Sequence, residues 1–129
     1  MVIGLIPGVP VVWTSPSVFH ILIEGMSPYY SPYTASVSPG IPVVWKNPTP
    51  SLHTVTHDGC DGTGPCAFDS GAIPPKGSFT LPFLPPGKYA YHCTLHPIMR
   101  GILEVQDPHI PAPGQKLVDN SSVLLRNSG

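Results

Sequence analysis

Hydrophobic and polar positions alternate in short runs along this chain, and proline or glycine cuts off nearly every run. That pattern predicts strands rather than helices. Val9 to Thr14 reads as a first short strand, and Val18 to Glu24 as a second, ended by Gly25. Met26 to Tyr33 is rich in Pro and Tyr and reads as irregular. Ala35 to Ser38 is a short extended piece turned by Pro39-Gly40. Ile41 to Lys46 follows as a strand, with Pro42 at a tolerable entry or edge position. Leu52 to His57 alternates, and the polar, Gly-rich loop Asp58 to Pro75 comes next, with an extended piece expected over Ala67 to Ala72. Ser78 to Leu84 presents Phe79, Leu81 and Phe83 on one face, and Pro85-Pro86-Gly87 turns the chain. Lys88 to Cys93 places Tyr89, Tyr91 and Cys93 together, and Gly101 to Gln106 is the last strand.

About seven to eight short strands at this spacing predict an all-β, antiparallel sandwich or barrel. Pro108, Pro111, Pro113 and Gly114 end the pattern. The chain is therefore expected to divide into a domain over 1–106 and an extended tail over 107–129. Leu117, Val118 and Val123 to Leu125 leave two readings of the tail open, one packed on the body or a neighbouring subunit and one loose.

Composition narrows the function. With 129 residues, 41% of them hydrophobic, the chain can close a single core. Charged residues make up only 10% and the net charge is -1, which excludes a basic footprint for nucleic acid. No apolar run is long enough for a membrane-spanning helix. Met1 to Val12 is apolar but has no basic leader and is broken by Pro7 and Pro10, so it is not an intact signal peptide. The expectation is the mature form of an exported protein, or a domain of a larger one with a start Met added.

Cys60 and Cys66 flank Asp61-Gly62-Thr63-Gly64-Pro65. A pair across so short a loop suggests a disulfide and an oxidising compartment. Closing that ring would contribute roughly 2 kcal/mol in the chain-entropy account. Two ordinary thiols, or a second metal site using His57, Asp58, Cys60 and Cys66, are the alternatives.

The third cysteine carries the sharpest signal. In Cys93-Thr94-Leu95-His96-Pro97-Ile98-Met99, a thiolate, an imidazole and a thioether follow one another at three-residue intervals, and His53 lies upstream on another strand-like run. Two His, one Cys and a weak Met form the ligand set of a type 1 copper site. Thiolate and thioether favour Cu(I), whereas imidazole suits Cu(I) and Cu(II) alike. The reading assigns His53, Cys93, His96 and Met99 to one copper per chain. Asn47, Thr94 and Pro97 are the candidates for holding these ligands in place, Pro97 by fixing its own backbone angle. Asn47 has the alternative of a plain turn residue before Pro48. A zinc site and a Met99 that merely opens the last strand, leaving the axial position free, are the competing versions. His57 is expected as a satisfied polar residue near a strand end. His92 is expected at the surface, facing away from Cys93, as a second electron exit. His20 and His109 are expected to be structural or exposed, Tyr89 and Tyr91 to pack in the core, and Trp13 and Trp45 to be core or rim aromatics.

The run Tyr89 to Gly101 resembles the ligand loop of amicyanin and bacterial plastocyanin-like proteins, members of the cupredoxin family. Val43-Val44-Trp45-Lys46-Asn47, His53-Thr54-Val55-Thr56, Phe68-Asp69-Ser70-Gly71 and Pro85-Pro86-Gly87-Lys88-Tyr89 resemble other pieces of that family, over roughly Val18 to Val105. The resemblance implies a Greek-key β-sandwich, a mononuclear copper site, and electron transfer in the periplasm or outside the cell. It also implies redox partners docking on an apolar patch around His96, made of Leu95, Pro97, Ile98, Pro50 and Met26. The cysteine-bearing loop is longer than the family's short forms, and the tail is extra. A non-enzymatic electron carrier is the leading reading. A copper enzyme, or a domain of one with an open site for a small nitrogen-oxide or oxygen species, is the second, and a copper storage or delivery protein the third.

Overall fold

The computed structural model describes residues 8, 17–62 and 64–108. The expected strand at Val9 to Thr14, Trp13, His109 and nearly all of the tail lie outside the described residues. Eight strands are ordered along the described chain: β1 (Phe19–Ile23), β2 (Tyr30–Ser31), β3 (Thr34–Val37), β4 (Val43–Lys46), β5 (Thr56–His57), β6 (Ser78–Leu81), β7 (Gly87–His92) and β8 (Arg100–Val105). They form two four-stranded sheets, in the orders β2-β1-β4-β6 and β3-β8-β7-β5. Among the described residues no helix is long and apolar enough to cross a membrane.

The chain passes repeatedly from one sheet to the other, and this makes both sheets mixed rather than purely antiparallel. β1 and β4 pair in parallel because β3, which lies between them in sequence, belongs to the opposite sheet. β3 and β8 are likewise parallel. The β4–β6 and β7–β8 pairs are antiparallel, as the turn-rich connections predict.

Alternation along each strand supplies one buried face to the sandwich. Ile21, Ile23, Val43, Trp45 and Leu81 from the first sheet meet Ala35, Val37, Tyr91, Leu103 and Val105 from the second in one core. Trp45 and Tyr91 join the layers edge to face, with ring centroids 5.5 Å apart, and the Trp45 indole N–H donates to the Tyr91 hydroxyl at 3.2 Å. Such a pair contributes about 0.5–1.5 kcal/mol beyond its buried area. Gly101 makes room for it: a Cβ there would fall 2.4 Å from the Tyr91 ring. Tyr91 is a core residue as expected, whereas Tyr89 is half-buried.

Three local expectations change. The strand from Ser78 stops at Leu81, so Phe83 is 62% exposed instead of continuing a buried face. Leu52 to His57 is not one strand, since only Thr56–His57 pairs with β7, and His53 makes an isolated bridge to Ile73. The irregular Tyr-rich stretch contains β2, which pairs with β1 through Tyr30 and Ser31.

Candidate metal centre

His53 and Cys93 reach one end of the sandwich from neighbouring segments of the second sheet. β5 and β7 pair antiparallel with Thr56 opposite His92, which brings the residues just before β5 beside the residue just after β7. Cys93 is fully buried and His53 is 3% exposed. His96 lies in the exposed connection between β7 and β8. One donor atom each from His53, Cys93 and His96 falls within 4.8 Å of the others, the one such cluster among the described residues. Cys93 Sγ is 3.9 Å from His53 Nδ1 and 3.6 Å from His96 Nδ1. Both gaps are long for direct hydrogen bonds. They match the separation of about 3.7 Å expected when a sulfur and an imidazole nitrogen share a first-row ion at a trigonal angle. The donor set therefore fits a metal.

Met99 follows in the same loop. Its side chain is buried, its N–H donates to the His96 carbonyl at 2.8 Å, and its own carbonyl accepts from the Cys93 N–H at 3.1 Å. The loop thus closes on itself between Cys93 and Met99, with Thr94 to Ile98 exposed, Pro97 among them.

The buried polar residues around the cluster explain its shape. Asn47 is fully buried where β4 ends. Its amide nitrogen donates to the carbonyls of Ser51 at 2.8 Å and Ile73 at 2.9 Å, and its oxygen accepts from the Thr49 hydroxyl at 2.6 Å. These bonds tie together the two segments that run antiparallel at the His53–Ile73 bridge. Asn47 is more than a turn residue. Thr54, part of the His53-Thr54-Val55-Thr56 motif and not among the expected supporting residues, touches both segments of the cluster. Its N–H donates to Cys93 Sγ at 3.3 Å, and its hydroxyl accepts from the Thr94 N–H at 2.9 Å. Its carbonyl accepts from the buried Tyr30 hydroxyl at 2.7 Å. A threonine directly after a ligand, on a segment facing the second ligand, was the available signal.

Burial first, and the neighbouring His96 second, hold His53 below the ordinary histidine range, which favours the neutral imidazole that a metal requires. Burial, and then the nearby Cys93, raise the Tyr30 phenol far above its usual range. It stays protonated and can only donate to Thr54.

No family model matches the chain, and no curated protein matches it. Solved structures do. A methionine-to-alanine variant of amicyanin in its Cu(I) form superposes with a TM-score of 0.61 at 28% identity, over 72% of this chain and 86% of that one. A proline-to-glycine amicyanin variant, reduced at pH 4, gives 0.60 at 29% identity over the same shares. A purple cupredoxin from Nitrosopumilus maritimus gives 0.58 at 25% identity, over 68% of this chain and 99% of that one. The chain is cupredoxin-like. Its β-sandwich is that of these structures, and its His53-Cys93-His96 cluster fits a cupredoxin copper site.

The remaining expectations sort around this cupredoxin-like frame. Cys60 and Cys66 form a disulfide, which withdraws them from any second metal site. His57 is half-buried and satisfied: its Nδ1 accepts from the Ala67 N–H at 3.0 Å, and its ring stacks near Phe68 and Tyr89. Trp45 is in the core. His92 is not at the surface. It does face away from the core, but a 3-10 turn over Asp58–Asp61, inside the cysteine loop, covers it and leaves it 7% exposed. Leu95 is 52% exposed and Ile98 72%.

Proposed function

We propose that this chain is a mononuclear type 1 copper protein that passes single electrons between redox partners in the periplasm or outside the cell. The observation that carries the reading is the convergence of one thiol and two imidazoles within 4.8 Å, with the thiol fully buried. His53 and His96 would hold copper through Nδ1 and Cys93 through Sγ, with the Met99 thioether as a fourth, weak donor. Copper bound there supplies a centre that cycles between Cu(I) and Cu(II).

The protein's part is to hold the donors still. Thr54 donates an N–H to the Cys93 sulfur, which offsets thiolate charge and tunes the potential. Asn47 fixes the segment that carries His53. Donors held in this way, two of them buried, suit a carrier, whose site should rearrange little when an electron arrives, and suit a storage protein poorly. The exposed His96, beside exposed Leu95 and Ile98, offers an apolar docking patch of the kind a transient partner uses. The Cys60–Cys66 disulfide supports an oxidising compartment.

Copper titration with visible spectroscopy tests this. The expected result is one copper per chain and an intense thiolate-to-copper band that azide and nitrite leave unchanged. A band displaced by either anion would favour the open-site enzyme reading, and uptake without a band would remove the type 1 assignment.

A further inference from the structure

Asp58 is outside the donor set, yet it touches both ends of the loop that carries most of that set. β7 and β8 pair His92 with Arg100, so these two residues are the last pair of the stem before residues 93–99. Asp58 Oδ1 is 2.6 Å from His92 Nδ1, and Asp58 Oδ2 accepts from the Arg100 guanidinium. An ionised carboxylate only accepts, so His92 donates through Nδ1. Asp61 Oδ2 lies 3.6 Å from His92 Nε2 on the ring's other side. Both acids belong to the 3-10 turn Asp58–Asp61, which the disulfide from Cys60 within it to Cys66 ties to the returning chain. The turn has no slack at Gly59, where a Cβ would fall 2.1 Å from the Pro65 carbonyl oxygen.

We propose that this turn, anchored by the disulfide at Cys60, is a clamp on the ligand loop, with Asp58 as the positioning residue that holds the stem shut from both sides. The role rests on the copper reading of the cluster. It answers a mechanical need, because Thr94 to Ile98 are all exposed, and among the described residues the Thr94 N–H bond to the Thr54 hydroxyl and the His53–His96 ring contact tie them to the sandwich. Cys93 is then set against His96 and Met99 by the loop's own backbone bonds, by Thr54 and by the stem beneath them. One carboxylate on both stem residues resists their splaying in a way that two separate surface pairs would not.

Hydrogen exchange on the full metal-free chain tests the clamp, with the reduction potential and visible spectrum of copper-loaded protein as the second readout. Asp58→Asn and Arg100→Gln break it from opposite sides. Asp61→Asn removes the same charge from the same turn and leaves the Asp58–Arg100 contact alone. In the first two variants, exchange at the Cys93 and Met99 amides is expected to speed up at least ~10-fold, while β4 amides hold and Asp61→Asn stays within ~3-fold of wild type. The double variant Cys60→Ser, Cys66→Ser is expected to accelerate the same two amides. In copper-loaded protein, Asp58→Asn should shift the potential and the band more than Asp61→Asn does. Unchanged exchange in Asp58→Asn and Arg100→Gln would overturn the clamp. Equal effects of Asp58→Asn and Asp61→Asn would overturn it too, leaving only a charge effect. Wild-type chain that takes up no copper would end the copper reading, and the exchange comparison would still decide the clamp.

Discussion

The two imidazoles of the cluster have ring centroids 4.9 Å apart but live in opposite surroundings. His53 is 3% exposed, on a segment that Asn47 and Thr54 lace to the rest of the sandwich. His96 is exposed, on a loop whose residues Thr94 to Ile98 are all exposed. The difference divides the labour of the site. In the proposed carrier, the buried side would fix where the donors are, and the exposed side would give an electron a short way out through a ring edge open to a partner. A site buried on both sides would hold copper and have no exit, whereas one exposed on both sides would lose its geometry.

Truncating the two rings separately should expose that division most strongly. His96→Ala opens a gap to solvent, and added imidazole is expected to enter it and restore the thiolate-to-copper band. His53→Ala leaves a buried gap that imidazole reaches only after local opening, so at least ~10-fold more imidazole is expected for the same recovery. The measurement is an imidazole titration of each copper-loaded variant, and equal rescue would erase the contrast between the two sides. A smaller effect is expected from the supporting residues. Asn47→Ala removes the bonds to the Ser51 and Ile73 carbonyls and takes the acceptor from the buried Thr49 N–H, and should cost about 2–4 kcal/mol in urea unfolding of the metal-free chain. On the exposed side, Leu95→Ser should stay within about 0.5 kcal/mol in the same unfolding series. If the two variants unfold alike, the buried side is not the frame.

The same contrast marks how much could be read before the fold was seen. The loop's part of the cluster was legible because Cys93 and His96 are local in sequence, and local spacing survives folding. Most strands were legible because a half-buried strand must alternate. His92 shows where the reading fails. Alternation placed it on the face opposite Cys93, which is its true face, but alternation carries no information about what covers that face. The cover is the Asp58–Asp61 turn, and its approach is a tertiary event set by a charge pairing and a disulfide loop. The parallel β1–β4 pairing was hidden for a related reason, since periodicity describes each strand and not the sheet it joins. Phe83 failed differently: it continues the pattern of Phe79 and Leu81 past the end of pairing, where Pro82 has no N–H for the ladder and Leu84 takes the buried position instead.

The central claim is that Cys93 and His53, drawn together from distant parts of the chain, share one redox-active ion with His96. The most direct test compares visible absorption of wild-type chain and Cys93→Ser after loading with one equivalent of copper. An intense band in the wild type that is gone in Cys93→Ser is the predicted result, because serine offers no thiolate to transfer charge from. The same band in both proteins would contradict the assignment, since the sulfur responsible would then lie elsewhere.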